Sequence, residues 1–284
     1  MSKRLEIAKE IGLKAGKLAM EFYNKQDLVV EEKGGYFEDF VTEADKAVEK
    51  FIFKELRKAF PEDDFTGEES SYSQSDKEYV WIIDPIDGTR DFIKHTGNFA
   101  IHIGLAQNGT GVLGVVYLPA KNKFFYAEKN KGAFLNDKKI NVSTIKKVND
   151  ARACRSDRVK QDTELKRLSE LIPTKTNEYV QSSGNKITLI AEGKYELTVF
   201  KQRTVAEWDV CAPGVILEEA GGTITTTDEK NLRYNKKELD YPLPIIVSNN
   251  HIHNIGYFEK HANGIAFFGV SAPDVVVSHN LIHH

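Results

Sequence analysis

The sequence predicts an α+β protein built as two lobes. Two segments with helical apolar spacing open the chain, and a series of strand-like runs joined by Asn-Gly and Lys-Gly turns follows. From about Asn149 the rhythm changes to strands alternating with helices. The expected divisions are an N-terminal α+β lobe over 1–148, an α/β lobe over 149–250 and a C-terminal segment over 251–284.

The first helix is expected from Ile7 to Phe22, where Ala8, Ile11, Ala15, Leu18 and Phe22 form one apolar stripe. A polar, glycine-containing stretch (Gln26 to Asp39) separates it from a second helix. Thr42 can cap that helix, Asp45 completes a T-x-x-D capping box, and Pro61 stops it. Its stripe runs through Ala44, Val48, Phe51, Ile52, Leu56 and Ala59. Strand-like runs follow in "YVWIID", "FAIHIGLAQ", "VLGVVYLP" and "KFFYAE", the last leading through "KNKG" to "AFLN", and this reads as an antiparallel meander. Ser70 to Asp76 reads as a loose surface segment. In the second half "ARACRS", "EYVQSS" and "YELTVF" read as strands, with helices at Thr163 to Leu171, in "NKITLIAEG" and in "WDVCAPGVILEEAGG". Gly221 and Gly222 close the last of these helices.

A chain of 284 residues, 40% hydrophobic and 29% charged, can bury a sizeable core as an ordinary globular protein. The net charge of −3 gives no general attraction to nucleic acid or anionic lipid. Cys154 and Cys211 have no CxxC spacing, so a reducing compartment is the simpler expectation. The N-terminal residues lack the apolar core of a signal peptide, and no run reaches the roughly 18 apolar residues of a membrane span. A cytoplasmic protein is expected. G-x-S-x-G and Walker patterns are missing, which argues against an esterase and a P-loop NTPase.

The stretch "WIIDPIDGTRDF" holds the most chemistry. Asp84 is expected at the carboxyl end of a strand, Pro85 fixes the backbone direction, and Asp87 follows on the same turn. Two carboxylates that converge must share a proton or hold a cation, and a hard divalent ion such as Mg²⁺ suits such a site. Gly88 and Thr89 then open a turn whose N–H groups can face an anion. The same residues fit an ordinary proline turn. Glu68 in "TGEESS" and Asp209 in "EWDV" can bring further carboxylates, although Asp209 also reads as a helix cap.

Taken in order, "VTEAD", "GEES", "WIIDPIDGTRDF" and "EWDVCAPGVILEEAGG" resemble the inositol monophosphatase superfamily, from the first helix to about Asn250. The resemblance implies a layered αβαβα sandwich of the sugar-phosphatase type and a Mg²⁺-dependent, lithium-sensitive phosphomonoesterase. "DGTRDFIKHTGNFAIHIGL", "CRSD", "SSGNKITLIAEGK" and "WDVCAPGVIL" are most similar to the 3′(2′),5′-bisphosphate nucleotidases. Asp157 stands where those enzymes carry a substrate-binding histidine, and Ser182 where they carry glycine. The expected reaction is hydrolysis of 3′-phosphoadenosine 5′-phosphate to AMP. The alternatives are an inositol monophosphatase or fructose-1,6-bisphosphatase on the same fold, or a catalytically silent relative.

By this resemblance Glu68, Asp84 and the Ile86 carbonyl hold one Mg²⁺, and Asp84, Asp87 and Asp209 a second. A third, weaker ion sits near Glu68. Thr89, with Asp45 behind it, orients and deprotonates the attacking water, while the Gly88 and Thr89 amides bind phosphate. Asp87, Ser156, Ser182 and Asp209 are expected around the substrate. Lys186 is a partner for a second phosphate or a solvated helix-start lysine. Arg155 and Ser156 line a nucleotide pocket or form a plain strand end. Cys211 reads as core packing. The expected partner is a small phosphate ester, with no nucleic-acid polymer and no membrane, and the chain is expected as a monomer or homodimer.

Six of the eight histidines lie in the last 34 residues (His251, His253, His261, His279, His283, His284), and they read as a polar tail rather than a metal site. "GIAFFGV" and "DVVVS" read as terminal strands or a dimer interface.

Overall fold

The computed structural model of the chain describes residues 1–25, 27–32, 40–70, 74–157, 172, 174–201, 203–250, 255–261 and 264–270. The expected helix at 163–171 and the run "DVVVS" lie outside these residues.

Helix α1 spans Lys3–Tyr23, starting four residues before the apolar stripe because the Ser2 side chain accepts from the Leu5 N–H at 3.2 Å. Strands β1 (Val30–Glu32) and β2 (Phe40–Thr42) pair antiparallel and lead into α2 (Glu43–Ala59). The capping box forms as the sequence suggests. The Thr42 hydroxyl accepts from the Ala44 and Asp45 N–H groups, and the Thr42 N–H donates to Asp45 Oδ2 at 2.8 Å.

The following strands build a seven-stranded sheet in the order β3-β4-β5-β6-β7-β8-β9. They are β3 (Asp64–Gly67), β4 (Tyr79–Asp87), β5 (Ala100–Gln107), β6 (Thr110–Leu118), β7 (Lys123–Glu128), β8 (Ala133–Leu135) and β9 (Lys138–Ile140). All neighbours are antiparallel except β3 and β4. Asn108 and Gly109, both at positive φ, make the tight β5–β6 hairpin that "NGTG" announces. Asn136 and Asp137 do the same between β8 and β9, a hairpin that the sequence reading passes over. Of the segment read as loose, 71–73 lie outside the described residues, and its end is tethered: the Ser75 N–H donates to Asn235 Oδ1 at 2.8 Å, and Asn235 Nδ2 donates to the Ser75 carbonyl at 2.7 Å.

Both faces of this sheet are buried, which is why its strands read as near-continuous apolar runs. Trp81, Ile83, Ile101, Ile103, Leu105 and Val115 pack towards α1 and α2. Val80, Ile82, Val116 and Phe125 face the other way, against α5 (Glu207–Glu219). There the glycine pair Gly104 and Gly114, opposite each other in the β5–β6 register, lets α5 lie directly on the strands. A Cβ on Gly114 would come within 2.2 Å of the Ala212 carbonyl oxygen, and one on Gly104 within 2.7 Å of Cys211 Sγ. Gly221, at φ 94°, ends the helix as expected.

A second sheet of five strands has the order β11-β10-β12-β14-β13. It comprises β10 (Arg152–Arg155), β11 (Thr176–Tyr179), β12 (Leu197–Phe200), β13 (Thr223–Thr226) and β14 (Ile245–Ser248). β10 runs parallel to β11 and β12, whereas β14 is antiparallel to both of its neighbours. Helix α4 (Ser183–Ala191) begins two residues before the expected "NKITLIAEG", because Ser182 is its cap. With α5 it shares the core that joins the two sheets. The expected α+β class and layered arrangement are therefore observed. "GIAFFGV" forms strand β16 (Gly264–Val270), paired antiparallel with β15 (Ile255–His261).

Candidate active site

The site is built where β4 meets the starts of α2, α4 and α5. The sequence reading ends β4 at Asp84 and puts Asp87 on the next turn, but the strand continues to Asp87. Asp84 pairs with His102 and Asp87 with Ala100, so three steps on β4 face two on β5, a bulge that contains Pro85 and Ile86. The bulge keeps both carboxylates in the sheet and bends them to one side. Gly88 follows at φ 97°, a left-handed conformation that suits glycine, and caps the short helix α3 (Thr89–Ile93).

Asp84, Asp87 and Asp209 each offer an oxygen, and the three oxygens lie within 4.8 Å of one another. Asp84 is buried, and its Oδ1 has no hydrogen-bond partner among the described residues. Burial, reinforced by the charges of Glu68, Asp87 and Asp209, pushes its pKa well up. Asp209 is raised to about 6, chiefly by burial and the Asp87 charge. An orphaned buried carboxylate oxygen among other acidic oxygens fits a hard divalent cation, whose charge would remove the penalty. Glu68 is outside this triad and reaches Asp84 through charge.

Asp87 is held differently. The Ser182 hydroxyl (2.5 Å) and the Gly184 N–H (2.6 Å) donate to its Oδ2, and the Ser183 N–H (3.1 Å) donates to Oδ1. Burial would raise its pKa, but the neighbouring His102 and these donors outweigh burial and hold it below the usual carboxylate range. The Ser183 hydroxyl lies 2.9 Å from both Asp87 Oδ1 and Asp209 Oδ1 and so bridges the two acids. Asp209 Oδ2 also accepts from the Ala206 N–H at 2.7 Å; the residue is therefore not the N-cap itself, which is Ala206, but the third residue of the helix reaching back to it.

Thr89 and Asp45 meet as expected: the Thr89 hydroxyl donates to Asp45 Oδ1 at 3.1 Å and lies 3.2 Å from the Ile86 carbonyl. Burial raises Asp45 to about 6, against the lowering effect of its bonds with Thr42. Ser182 adopts φ 69°, which is strained for any residue but glycine. Its hydroxyl recovers stability by capping α4 at Asn185 (3.1 Å) and binding Asp87. Lys186 is buried, with Nζ 2.9 Å from the Ser182 carbonyl and 5.3 Å from the centre of the Phe200 ring. Ser156 and Asp157 follow β10, half-buried. Cys211 is buried and its thiol pKa is pushed well up by that burial, as core packing requires.

Two residues escape the sequence reading. His102 stands in the apolar run "FAIHIGLAQ" and is fully buried beside Asp84 and Asp87. A lone histidine in a strand otherwise apolar enough to be core was the available signal. Ser183 is hidden in a pair of serines that read as the end of a strand.

The inositol monophosphatase family model matches residues 1–261. A fructose-1,6-bisphosphatase/inositol-1-monophosphatase of Thermotoga maritima is 31% identical over 252 residues, covering 88% of this chain and 93% of its own. An inositol-1-monophosphatase of Caulobacter vibrioides is 34% identical over 224 residues, covering 75% and 85%. The crystal structure of the extragenic suppressor protein SuhB of Bartonella henselae superposes with a TM-score of 0.78 at 29% identity, over 88% of this chain and 95% of that one. With this match and the acidic cluster, the chain belongs to the inositol monophosphatase family of metal-dependent phosphatases.

Proposed function

We propose that the chain is a Mg²⁺-dependent, lithium-sensitive phosphatase of small sugar or sugar-alcohol phosphates. Inositol monophosphate is the leading substrate and fructose 1,6-bisphosphate the second. The observation that supports this best is the convergence of Asp84, Asp87 and Asp209 beside the Thr89–Asp45 pair. The named relatives carry inositol-1-monophosphatase and fructose-1,6-bisphosphatase activities in their names, which favours this reading over the nucleotidase expectation.

Glu68, Asp84, the Ile86 carbonyl, Asp87 and Asp209 would hold two or three Mg²⁺ ions. Bound there, Mg²⁺ supplies positive charge to the phosphoryl oxygens and makes water a stronger acid. The chain's own groups do the rest. The Thr89 hydroxyl accepts a proton from the attacking water and passes its own to Asp45 Oδ1. Asp45, with a pKa near 6, is a competent base close to neutrality. The Gly88 and Thr89 N–H groups bind phosphate oxygens, and the left-handed Gly88 turn aims them. Lys186 already engages the Ser182 carbonyl, so a second phosphate is not required to account for it. Asp157, an acid where a nucleotidase carries histidine, likewise disfavours a bisphosphate nucleotide.

The test is phosphate release from inositol 1-phosphate, fructose 1,6-bisphosphate and 3′-phosphoadenosine 5′-phosphate with Mg²⁺, with and without Li⁺. Inositol 1-phosphate should give at least about tenfold the kcat/KM of the nucleotide, a gap of about 1.4 kcal/mol in transition-state binding. Faster turnover of the nucleotide would restore the nucleotidase reading, and no turnover of any ester would end the phosphatase one.

A further inference from the structure

His102 has no part in the proton path above, yet its ring touches several parts of the site. It lies opposite Asp84 in the β4–β5 register and is fully buried. Nδ1 is 3.1 Å from the Trp208 carbonyl oxygen and 3.9 Å from Asp84 Oδ2. Nε2 is 3.2 Å from Asp87 Oδ2, close but out of hydrogen-bond alignment. The ring also occupies the space left by Gly184, where a Cβ would come within 2.0 Å of Nε2. Four parts of the site thus meet one imidazole: both β4 carboxylates, the first turn of α4, and the residue that precedes Asp209.

Along the same face of β5 the neighbours at alternate positions are Ala100, Gly104 and Ala106. They are small because α5 lies close against this face. A large polar ring at 102 alone is costly to bury and is not what packing would select there. A carbonyl oxygen can only accept, so Nδ1 carries the proton and donates to Trp208. That bond ties β5 to the first turn of α5.

We infer that His102 is a positioning residue for the cation site: its Nδ1–H locks the Trp208 carbonyl and its ring wedges against Asp87 and Gly184, setting the distance between the β4 carboxylates and Asp209. The inference rests on the cation-centre reading and deepens it. Groups that orient metal-binding carboxylates are commonly worth about 10- to 100-fold in affinity.

The experiment measures Mn²⁺ binding by the loss of the free-ion paramagnetic resonance signal, in the full-length wild type and in the variants His102→Leu, His102→Asn and His102→Gln. Thermal unfolding in chelator runs in parallel. Leucine should weaken binding about 10- to 100-fold. Asparagine, which can place an N–H near Nδ1 and keep the bond to Trp208, should recover most of that loss. Glutamine, which reaches towards Asp87 instead, should recover less. A leucine variant that binds within about threefold of wild type, or asparagine no better than glutamine, overturns the inference. If the leucine variant does not fold, the asparagine–glutamine comparison decides alone. Failure of the cation-centre reading has a separate signature: wild type and Asp84→Asn would then bind Mn²⁺ equally poorly.

Discussion

The repulsion that folding imposes on Asp84 sets opposite signs for stability and activity. Its carboxylate is buried among Glu68, Asp87 and Asp209, so a neutral amide there should fold more easily without metal. Asp84→Asn should therefore raise the unfolding temperature in chelator by about 2 °C or more, the shift that ~1 kcal/mol gives a protein of this size. The same variant should lose Mg²⁺-dependent turnover, checked by phosphate release. A variant that keeps near-native turnover would remove Asp84 from the metal site. Thr89→Val tests a different step, because it keeps the shape and removes only the hydroxyl that bonds Asp45. It should lower kcat by about 10²- to 10⁴-fold with little change in KM, the usual loss for a proton-transfer group, and Thr89→Ser should restore much of it. At this scale the acids were legible because each lay in a recognisable short stretch. His102 and Ser183 were not, since their roles depend on which side chains a β-bulge and a helix start bring beside them.

At the scale of elements, close approach of α5 to the seven-stranded sheet decides whether Asp209 reaches Asp84 and Asp87. The approach depends on Gly114, whose missing side chain leaves room for the Ala212 carbonyl. Gly114→Val should force the helix outwards and cost about 1–3 kcal/mol or more, as overpacking of a filled core does. Urea unfolding measures that cost, and Mn²⁺ affinity should fall with it, because Asp209 moves with the helix. An unchanged affinity in a destabilised variant would mean that α5 shifts without carrying its first turn. The helices and the meander were legible from apolar spacing and from "NGTG" and "KNKG". The continuation of β4 to Asp87 was not, because a proline reads locally as the end of a strand and only pairing with β5 keeps the strand going. Ser2 and Ser182 moved two helix starts for a related reason. Each offers a hydroxyl to the first turn, and that outweighs the absence of an apolar residue there.

For the whole molecule, the site makes stability depend on pH in a way that a bound cation should reverse. Asp45 and Asp209 have folded pKa values near 6, above the ordinary carboxylate value, and Asp84 is also raised. Between about pH 4 and 6 the folded protein holds these protons while the unfolded chain has released them, so stability falls as pH rises. His102 adds in the same direction, mainly because its contact with Asp87 outweighs the lowering effect of burial. Its raised pKa gives stability that is present below its unfolded value and lost as pH climbs through the folded one. Asp87 works the opposite way, but its window lies below its unfolded value near 4, where its depressed pKa is reached. In chelator, the unfolding temperature should therefore decline from about pH 4 towards pH 8. With saturating Mg²⁺ the cation takes the place of the Asp84 and Asp209 protons, so the decline should flatten or turn into a rise over the same range. Asp45→Asn should remove part of the decline in chelator, because it deletes one of the raised groups. Calorimetry at several pH values, with and without the ion, reads all three slopes. A chelator profile that rises between pH 4 and 6 would show that these carboxylates are ionised without cost, and nothing in the site would then call for a metal.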